Sequence, residues 1–380
     1  VAGRTDVHSD PVPATPTTHT TFATYLDTRS PGLDVVRVLL AIAVLVSHTW
    51  PLGGFGTEPG SPIAPGFLTL GGFAVAGFFA LSGLLVGRSA LTRTPGQFTR
   101  ARLARIVPGY WVALAVSGFA LAGLGYVHDH GGLGGFFSLD PDGPVLYVLR
   151  AALFPIDFHH GVYDVFTTST PFGRSSGSSF VNGSLWTLPY EIRCYLVVGI
   201  VGAAAKAMGP RRTVTAAWAI AFVVGVLYER SRGGTSFVLG PLADPQLVTF
   251  VFVFLSGMLV AVWADRIRLW GPLPAAALVL ALLAGHHSLF AAEYIAAGAL
   301  ALVLPPLASL LGGVGAQLRG VDLSYGLYLY AWPIQQLVAM YGLAHRPATF
   351  IACSLALTTA AATLSWYGVE RPAMRRWGRR

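Results

Sequence analysis

Charge is scarce in this 380-residue chain. Asp, Glu, Lys and Arg together make up 11% of it, against 54% hydrophobic residues. Soluble domains carry about 25% charged residues, so a water-covered globular fold is excluded. Cysteine is scarcer still: Cys194 and Cys353 both fall inside apolar runs. They read as small apolar fillers, which argues against a disulfide framework or a thiolate metal site. Residues 1–30 lack the apolar core of a secretory signal and are rich in Thr, Pro and Ala, as expected of a disordered cytoplasmic tail. The net charge of +8 would suit nucleic acid, but the arginines gather at the ends of apolar runs. That is the pattern of membrane topology, and no nucleic-acid partner is expected.

What the chain has in quantity is apolar sequence in runs near the length that crosses a bilayer. About ten spans can be drawn, at roughly 33–51, 66–88, 107–127, 184–205, 213–229, 247–264, 272–286, 292–312, 323–343 and 348–368. The expected fold is all-α, a polytopic integral membrane protein that uses the lipid bilayer as its solvent. Arg and Lys follow each even-numbered span: Arg88 to Arg105, Lys206 to Arg212, Arg266 and Arg268, Arg319, then Arg371 to Arg380. Both termini are therefore expected in the cytoplasm. The longest outer segment is 128–183. Its apolar piece Pro144–Phe158 is short and interrupted by Arg150 and Pro155, which suits a re-entrant or interfacial helix. The following GRSSGSSFVNGS reads as a flexible loop, either a cover for an outward-facing site or a plain linker. His128, His130, His159 and His160 lie in the same segment without Cys or a compact carboxylate set, so no metal is expected.

Ionisable residues inside spans are costly and mark sites or pathways. The first span, LDVVRVLLAIAVLVSHTW, carries Arg37 near its start and His48 near its end, roughly 16 Å apart along a helix. The fourth, beginning SLWTLPYEIRCYL, carries Glu191, which by helical rise lies about 10 Å below the outer face. His48 and Glu191 are thus expected at similar depth, a carboxylate orienting an imidazole that acts as general base. The rival is a structural ion pair between Glu191 and Arg193, weakened because residues two apart face different sides of a helix. On the inner side Arg102 and Arg105, at i and i+3, present a paired guanidinium face suited to phosphate. Ordinary positive-inside charge against lipid headgroups is the alternative. Arg37 and Ser82 reach the same depth, and together these groups would line a channel toward His48.

These residues carry a resemblance. Arg37, ten residues, then His48 is similar to the R-x10-H signature of the membrane-bound acyltransferase family 3. FFALSGLLVG at 78–87 resembles its second-span motif, and Arg102-Leu-Ala-Arg105 with Pro108, Tyr110 and Trp111 its RxxR segment. SLWTLPYEIRCYL at 184–196 resembles its Trp-to-Glu motif, LSYGLYLYAWPIQQ at 323–336 its late-span motif and VERP at 369–372 its closing one. One departure stands out: family members often carry His where this chain has Ala331, which leaves the weight of catalysis on His48. The C-terminal esterase-like domain of some relatives is not expected here, and 31–376 is expected to be a single transmembrane acyltransferase domain.

The resemblance implies transfer of an acyl group, commonly acetyl, from cytoplasmic acyl-CoA to a hydroxyl of a glycan or glycosylated small molecule. Acyl-CoA would be a co-substrate, with no bound cofactor and no metal. The expected roles are His48 and Glu191 as catalytic residues, and Arg37, Ser82, Arg102 and Arg105 on the acyl-CoA side. Trp186, Tyr190, Arg193, Tyr325 and Tyr328 are the substrate-positioning candidates, although aromatics at membrane interfaces also form belts. With no Cys at a suitable depth, direct transfer is expected over a covalent acyl-enzyme. The expected location is the plasma membrane. A transporter or flippase is the rival; it predicts repeated halves, and no second copy of the Arg37–His48 or Glu191 pattern occurs.

Overall fold

The computed structural model describes residues 21–25, 31–61, 69–155, 160–231, 244–267, 273–284, 289–318, 320–343 and 345–377. Among the described residues there are helices and turns but no β-strand. In chain order the helices are α1 Pro31–Gly53, α2 Leu70–Thr92, α3 Pro95–Ala115, α4 Ala122–His130, α5 Pro144–Ala151, α6 Pro171–Ser176, α7 Leu188–Met208 and α8 Pro210–Ser231. They continue with α9 Pro245–Trp263, α10 Leu273–Ala284, α11 Leu289–Leu310, α12 Gly312–Gln317, α13 Ser324–Met340, α14 Pro347–Ser365 and α15 Arg371–Trp377. Proline opens many of them, because the first helical position needs no N–H and favours its fixed φ. α3 shows the full device: Thr94 accepts from the Gln97 amide, Gln97 reaches back to the Thr94 amide, and Pro95 follows the cap.

Each of the ten expected spans falls on a helix, and eight helical stretches are long and apolar enough to cross a membrane. The remaining two are α10, described over 12 residues, and α13, of 17 residues. Nearly all of α13 is buried, including Gln335 and Gln336. Two spans are longer than the sequence suggests. α3 continues through a π-helical segment, Val116–Leu121, into α4, and α14 continues through Trp366–Glu370 into α15. Arg100, Arg102 and Arg105, which precede the third span, are therefore already helical.

Cross-chain contacts test the alternating topology. Arg37 at the start of α1, Arg105 in the first half of α3, Asp322 just before α13 and Glu370 after α14 meet in one cluster. Lys206 near the end of α7 donates to the carbonyl of Arg93 at the end of α2, and Arg211 pairs with Asp265 after α9. The Arg211 hydrogen bond holds the Asp265 carboxyl below its usual range. Starts of odd spans and ends of even spans thus share one face, as the basic residues require. Phe22 joins that face. The turn Phe22–Tyr25 is folded, with Phe22 buried and its amide bonded to Ile267 O, so the tail expected to be disordered is docked at this point. The rest of residues 1–30 lies outside the described residues.

α2 and α9 pack along much of their length, and glycine makes the close approach possible. A Cβ on Gly83 would stand 2.0 Å from the Phe254 carbonyl oxygen, and one on Gly257 would stand 2.2 Å from Ala80 O. Close backbone approach through small residues is how membrane helices gain packing energy without a hydrophobic driving force. Gly83→Ala is expected to lower stability by about 1–3 kcal/mol, because two backbones must separate. The thermal midpoint in detergent measures this. Gly96→Ala, where nothing lies within 4 Å, should leave the midpoint unchanged or slightly raised.

Candidate active site

Two cavities lie back to back in the bundle. The inner one, of about 100 Å³, is lined by Arg37, Ser82, Arg102, Arg105, Glu191, Tyr195 and Tyr325, among others. The outer one, of about 380 Å³, is lined by His48, Glu58, Trp186, Glu229, Glu293 and Tyr294, among others. Val75 and Tyr328 belong to both walls. The Tyr328 hydroxyl is fixed by Thr187 at 2.7 Å, so the partition is held by a hydrogen bond between α13 and the turn Gly183–Thr187 that precedes α7.

His48 sits in the last part of α1, where Pro51 is still helical. Trp332 of α13 meets its ring edge-on, with centroids 4.9 Å apart, and its Nδ1 is buried without a hydrogen-bond partner. The nearby carboxylate is Glu58, whose charge acts on His48. Glu58 is held by the Ser47 hydroxyl at 3.2 Å, and Ser47 in turn accepts from the Gly71 amide at 2.9 Å. This chain of bonds ties the loop after α1 to the start of α2.

Glu191 does not meet His48. It lines the inner cavity and accepts from the Tyr195 hydroxyl at 2.5 Å, one helical turn on. The chain is already inside the protein at Asn182, which is fully buried and donates to Ser117 and to Leu329 O. The turn Gly183–Thr187 is a 3-10 helix, rising about 2.0 Å per residue against 1.5 Å for an α-helix. Glu191 therefore lies deeper than a span counted from residue 184 allows. Neither is it paired with Arg193. That guanidinium donates to the carbonyls of Pro189 and Phe154 at 2.8 and 3.2 Å, lines neither cavity, and ties α7 to the outer segment. Arg193, expected among the substrate-positioning residues, is thus placed at these carbonyls and outside both cavity walls.

The inner arginines divide into two kinds. Arg105 is neutralised: it reaches Asp322 at 2.6 Å and Glu370 at 3.7 Å, with its guanidinium 5.5 Å from the Tyr325 ring centroid. Arg37 shares Asp322 at 3.4 Å and has Asp34 at 3.6 Å. Arg102 has no ion pair among the described residues; its Nε is buried without a partner, and its guanidinium lies 5.9 Å from the Tyr195 centroid. Spacing puts Arg102 and Arg105 on one face, but only Arg102 has donors to spare. Ser82 and Tyr325 line this cavity, and the Tyr325 hydroxyl donates to Ile106 O at 2.9 Å. Tyr190 lines neither cavity. Its hydroxyl donates to Asp244, the cap of α9, at 2.8 Å, and its ring lies against Trp186 and Phe250.

The outer segment folds over His48. Phe172 and Phe180 pack on Trp332, and Phe180 O accepts from the Trp332 indole and from Gln336. The Gly/Ser-rich stretch read as flexible is held by these contacts, by the short helix α6 and by Asn182. Of the piece expected to be a re-entrant or interfacial helix, α5 accounts for eight residues, and residues 156–159 lie outside the described ones. His128 lies against Asp129 and His130 against Asp164, and His159 is among the residues not described. Among the described residues no three His, Cys, Asp or Glu side chains are grouped to hold a metal.

Sequence reasoning missed Glu58, Asp322, Glu229 and Glu293, and gave Glu370 no role beyond its motif. A signal existed for two of them, since Glu229 and Glu293 sit at the ends of predicted spans, where ionisable groups are informative. Asp322 and Glu58 lie in connecting loops, and nothing local announces their partners.

The family comparison agrees with this frame. A sequence profile described as an acyltransferase domain matches residues 30–367. The chain is 28% identical over 373 residues to nodulation protein 10 of Rhizobium leguminosarum bv. viciae, covering 90% of this chain and 93% of that protein. It is 28% identical over 315 residues to an O-acetyl transferase of Shigella phage Sf6, covering 82% and 86%. No solved structure matches it. With the profile spanning all ten of the expected membrane helices, the chain belongs to the membrane-bound acyltransferase family 3.

Proposed function

We propose that this protein is an O-acyltransferase of the plasma membrane, moving an acetyl or related acyl group from cytoplasmic acyl-CoA to a hydroxyl of a glycan-type acceptor. The observation that carries the reading is the pair of cavities sharing Val75 and Tyr328, with an arginine having spare donors on one side and an imidazole on the other. A phosphate or thioester oxygen satisfies the buried Arg102 donor, and a hydroxylated acceptor approaches His48. The imidazole takes the hydroxyl proton as the oxygen attacks the thioester carbonyl. The carbon–sulfur bond breaks as the new ester forms, and the leaving thiolate takes the proton back from the imidazolium. Glu58 stabilises the imidazolium, the role sequence reasoning assigned to Glu191. Glu191 and Tyr195 shape the donor side. The similarity to an O-acetyl transferase supports the ester product.

The test is calorimetric titration of acetyl-CoA into the detergent-purified protein and its Arg102→Ala variant. Loss of a charge-assisted hydrogen bond should weaken binding about tenfold or more. Arg105→Ala is the wrong probe, because it strips Glu370 of its ion-pair partner and leaves Asp322 with Arg37 alone. If folded protein binds neither acetyl-CoA nor a longer acyl-CoA, the donor assignment fails and the transporter reading takes its place.

A further inference from the structure

We propose that the Tyr328 hydroxyl is the oxyanion donor of the transfer reaction, hydrogen-bonded to the thioester carbonyl oxygen as that oxygen becomes negative. The proposal rests on the acyl-transfer reading above and adds the group that stabilises the charge which that reaction develops. In direct transfer the acyl carbon meets the donor sulfur on one side and the acceptor oxygen on the other. It therefore sits where the two cavities meet. Among the described residues, Val75 and Tyr328 line both, and of these Tyr328 alone has a polar side-chain atom. α13 sets its height. Tyr325 lines the inner cavity, Tyr328 follows at i+3, and Trp332 at i+4 meets the His48 ring with centroids 4.9 Å apart. One helical turn, about 6 Å of rise, separates the tyrosine from the residue packed on the base. Arg102 lies elsewhere: it faces Tyr195, two turns or about 12 Å inward of Thr187 along α7. That distance leaves Arg102 to a remoter part of the donor.

A count of hydrogens points to a ligand at this place. Thr187 and Tyr328 are both buried, and their hydroxyl oxygens are 2.7 Å apart. Two hydroxyls carry two hydrogens, and the bond between them uses one. Neither side chain makes another hydrogen bond among the described residues, so one buried O–H is left for an acceptor that a ligand supplies. Thr187 lines the inner cavity alone, whereas Tyr328 reaches the boundary. Thr187 therefore donates to the Tyr328 oxygen, and Tyr328 donates to the carbonyl. An oxyanion donor works by being fixed beforehand, and this one is. Asn182 donates to Leu329 O beside Tyr328 and accepts from the Ser184 amide in the turn that carries Thr187. Phe78 meets the Tyr328 ring edge-on at 6.1 Å.

In the reaction the acceptor oxygen attacks the carbonyl carbon while its proton passes to His48. The carbonyl electron pair moves onto oxygen, where the Tyr328 O–H stabilises it without giving up its proton. The carbonyl re-forms as the carbon–sulfur bond breaks, and the thiolate takes the proton from the imidazolium.

The experiment uses the full chain. Turnover is read as free coenzyme A released from acetyl-CoA by membranes containing the protein and its acceptor pool, and donor affinity by calorimetric titration of acetyl-CoA into the detergent-purified protein. Tyr328→Phe keeps the ring and removes the donor. It should lower turnover about 10²–10³-fold and leave acetyl-CoA affinity and the thermal midpoint unchanged, because the bond matters in the transition state rather than in the bound ground state. Thr187→Val removes only the orienting bond and should lower turnover less; Thr187→Ser should recover what Thr187→Val loses. That pair carries the test if Tyr328→Phe does not fold. Normal turnover in Tyr328→Phe overturns the proposal. So does a loss of acetyl-CoA affinity or of thermal midpoint that matches the loss of turnover, since Tyr328 would then be a packing residue. A working parent with an equally active Tyr328→Phe leaves acyl transfer standing and removes Tyr328 alone. A parent that releases no coenzyme A ends the acyl-transfer reading, and the oxyanion role falls with it.

Discussion

His48→Ala is expected to cut acyl transfer by about 10²–10⁴-fold, the usual contribution of a positioned general base. The readout is release of free coenzyme A from acetyl-CoA by membranes containing the protein and its acceptor pool. Acetyl-CoA affinity should be unchanged, because His48 lines the outer cavity and the donors proposed for the coenzyme line the inner one. This split between turnover and donor binding separates a base from a packing residue. A misfolded variant would lose both. Glu58→Gln keeps the shape and the Ser47 contact but removes the charge beside His48, so it should lower turnover less than loss of the imidazole does. Normal turnover in His48→Ala would end the assignment of the base.

Asp322→Ala is expected to produce the largest loss of stability. Its carboxylate is 9% exposed and holds Arg105 at 2.6 Å and Arg37 at 3.4 Å; it also accepts from the Ser324 amide and hydroxyl. Removing one partner of a buried ion cluster leaves charges without compensation, at a cost of about 3–5 kcal/mol. The cluster joins α1, α3 and α13, so the loss should spread to the whole inner face. In detergent the thermal midpoint should fall by roughly 10 °C. Asp322→Asn retains the shape and part of the Ser324 contacts, and most of the loss should persist in it if charge is the cause. A midpoint within about 2 °C of the parent for both variants would show that solvent or lipid satisfies the arginines.

The comparison of the two cavities shows what local reading can and cannot reach. Arg37, Ser82, Arg102 and Arg105 are assigned to one inner site by depth and spacing, and they do share one cavity. Depth along a helix is a sum of per-residue rises, so it transfers from sequence to structure whenever the helix is regular. It misplaced Glu191 because the chain before α7 is neither regular nor at the surface. Spacing also treated Arg102 and Arg105 as equivalents. Their difference lies in Asp322 and Glu370, which are 217 and 265 positions away from Arg105 by number in the chain and which no periodicity connects to it.

By itself the sequence determined the class, the placement of the helices, the alternation of their ends and the family. These follow from composition, from run length against bilayer thickness and from the placement of arginine, all of which are local or summed along the chain. Tertiary structure alone decided which carboxylate lies beside His48, which inner arginine has no ion pair among the described residues, and that Glu191 and His48 line different cavities. Those depend on which helices pack side by side, and pairing between spans leaves no periodic trace in the sequence.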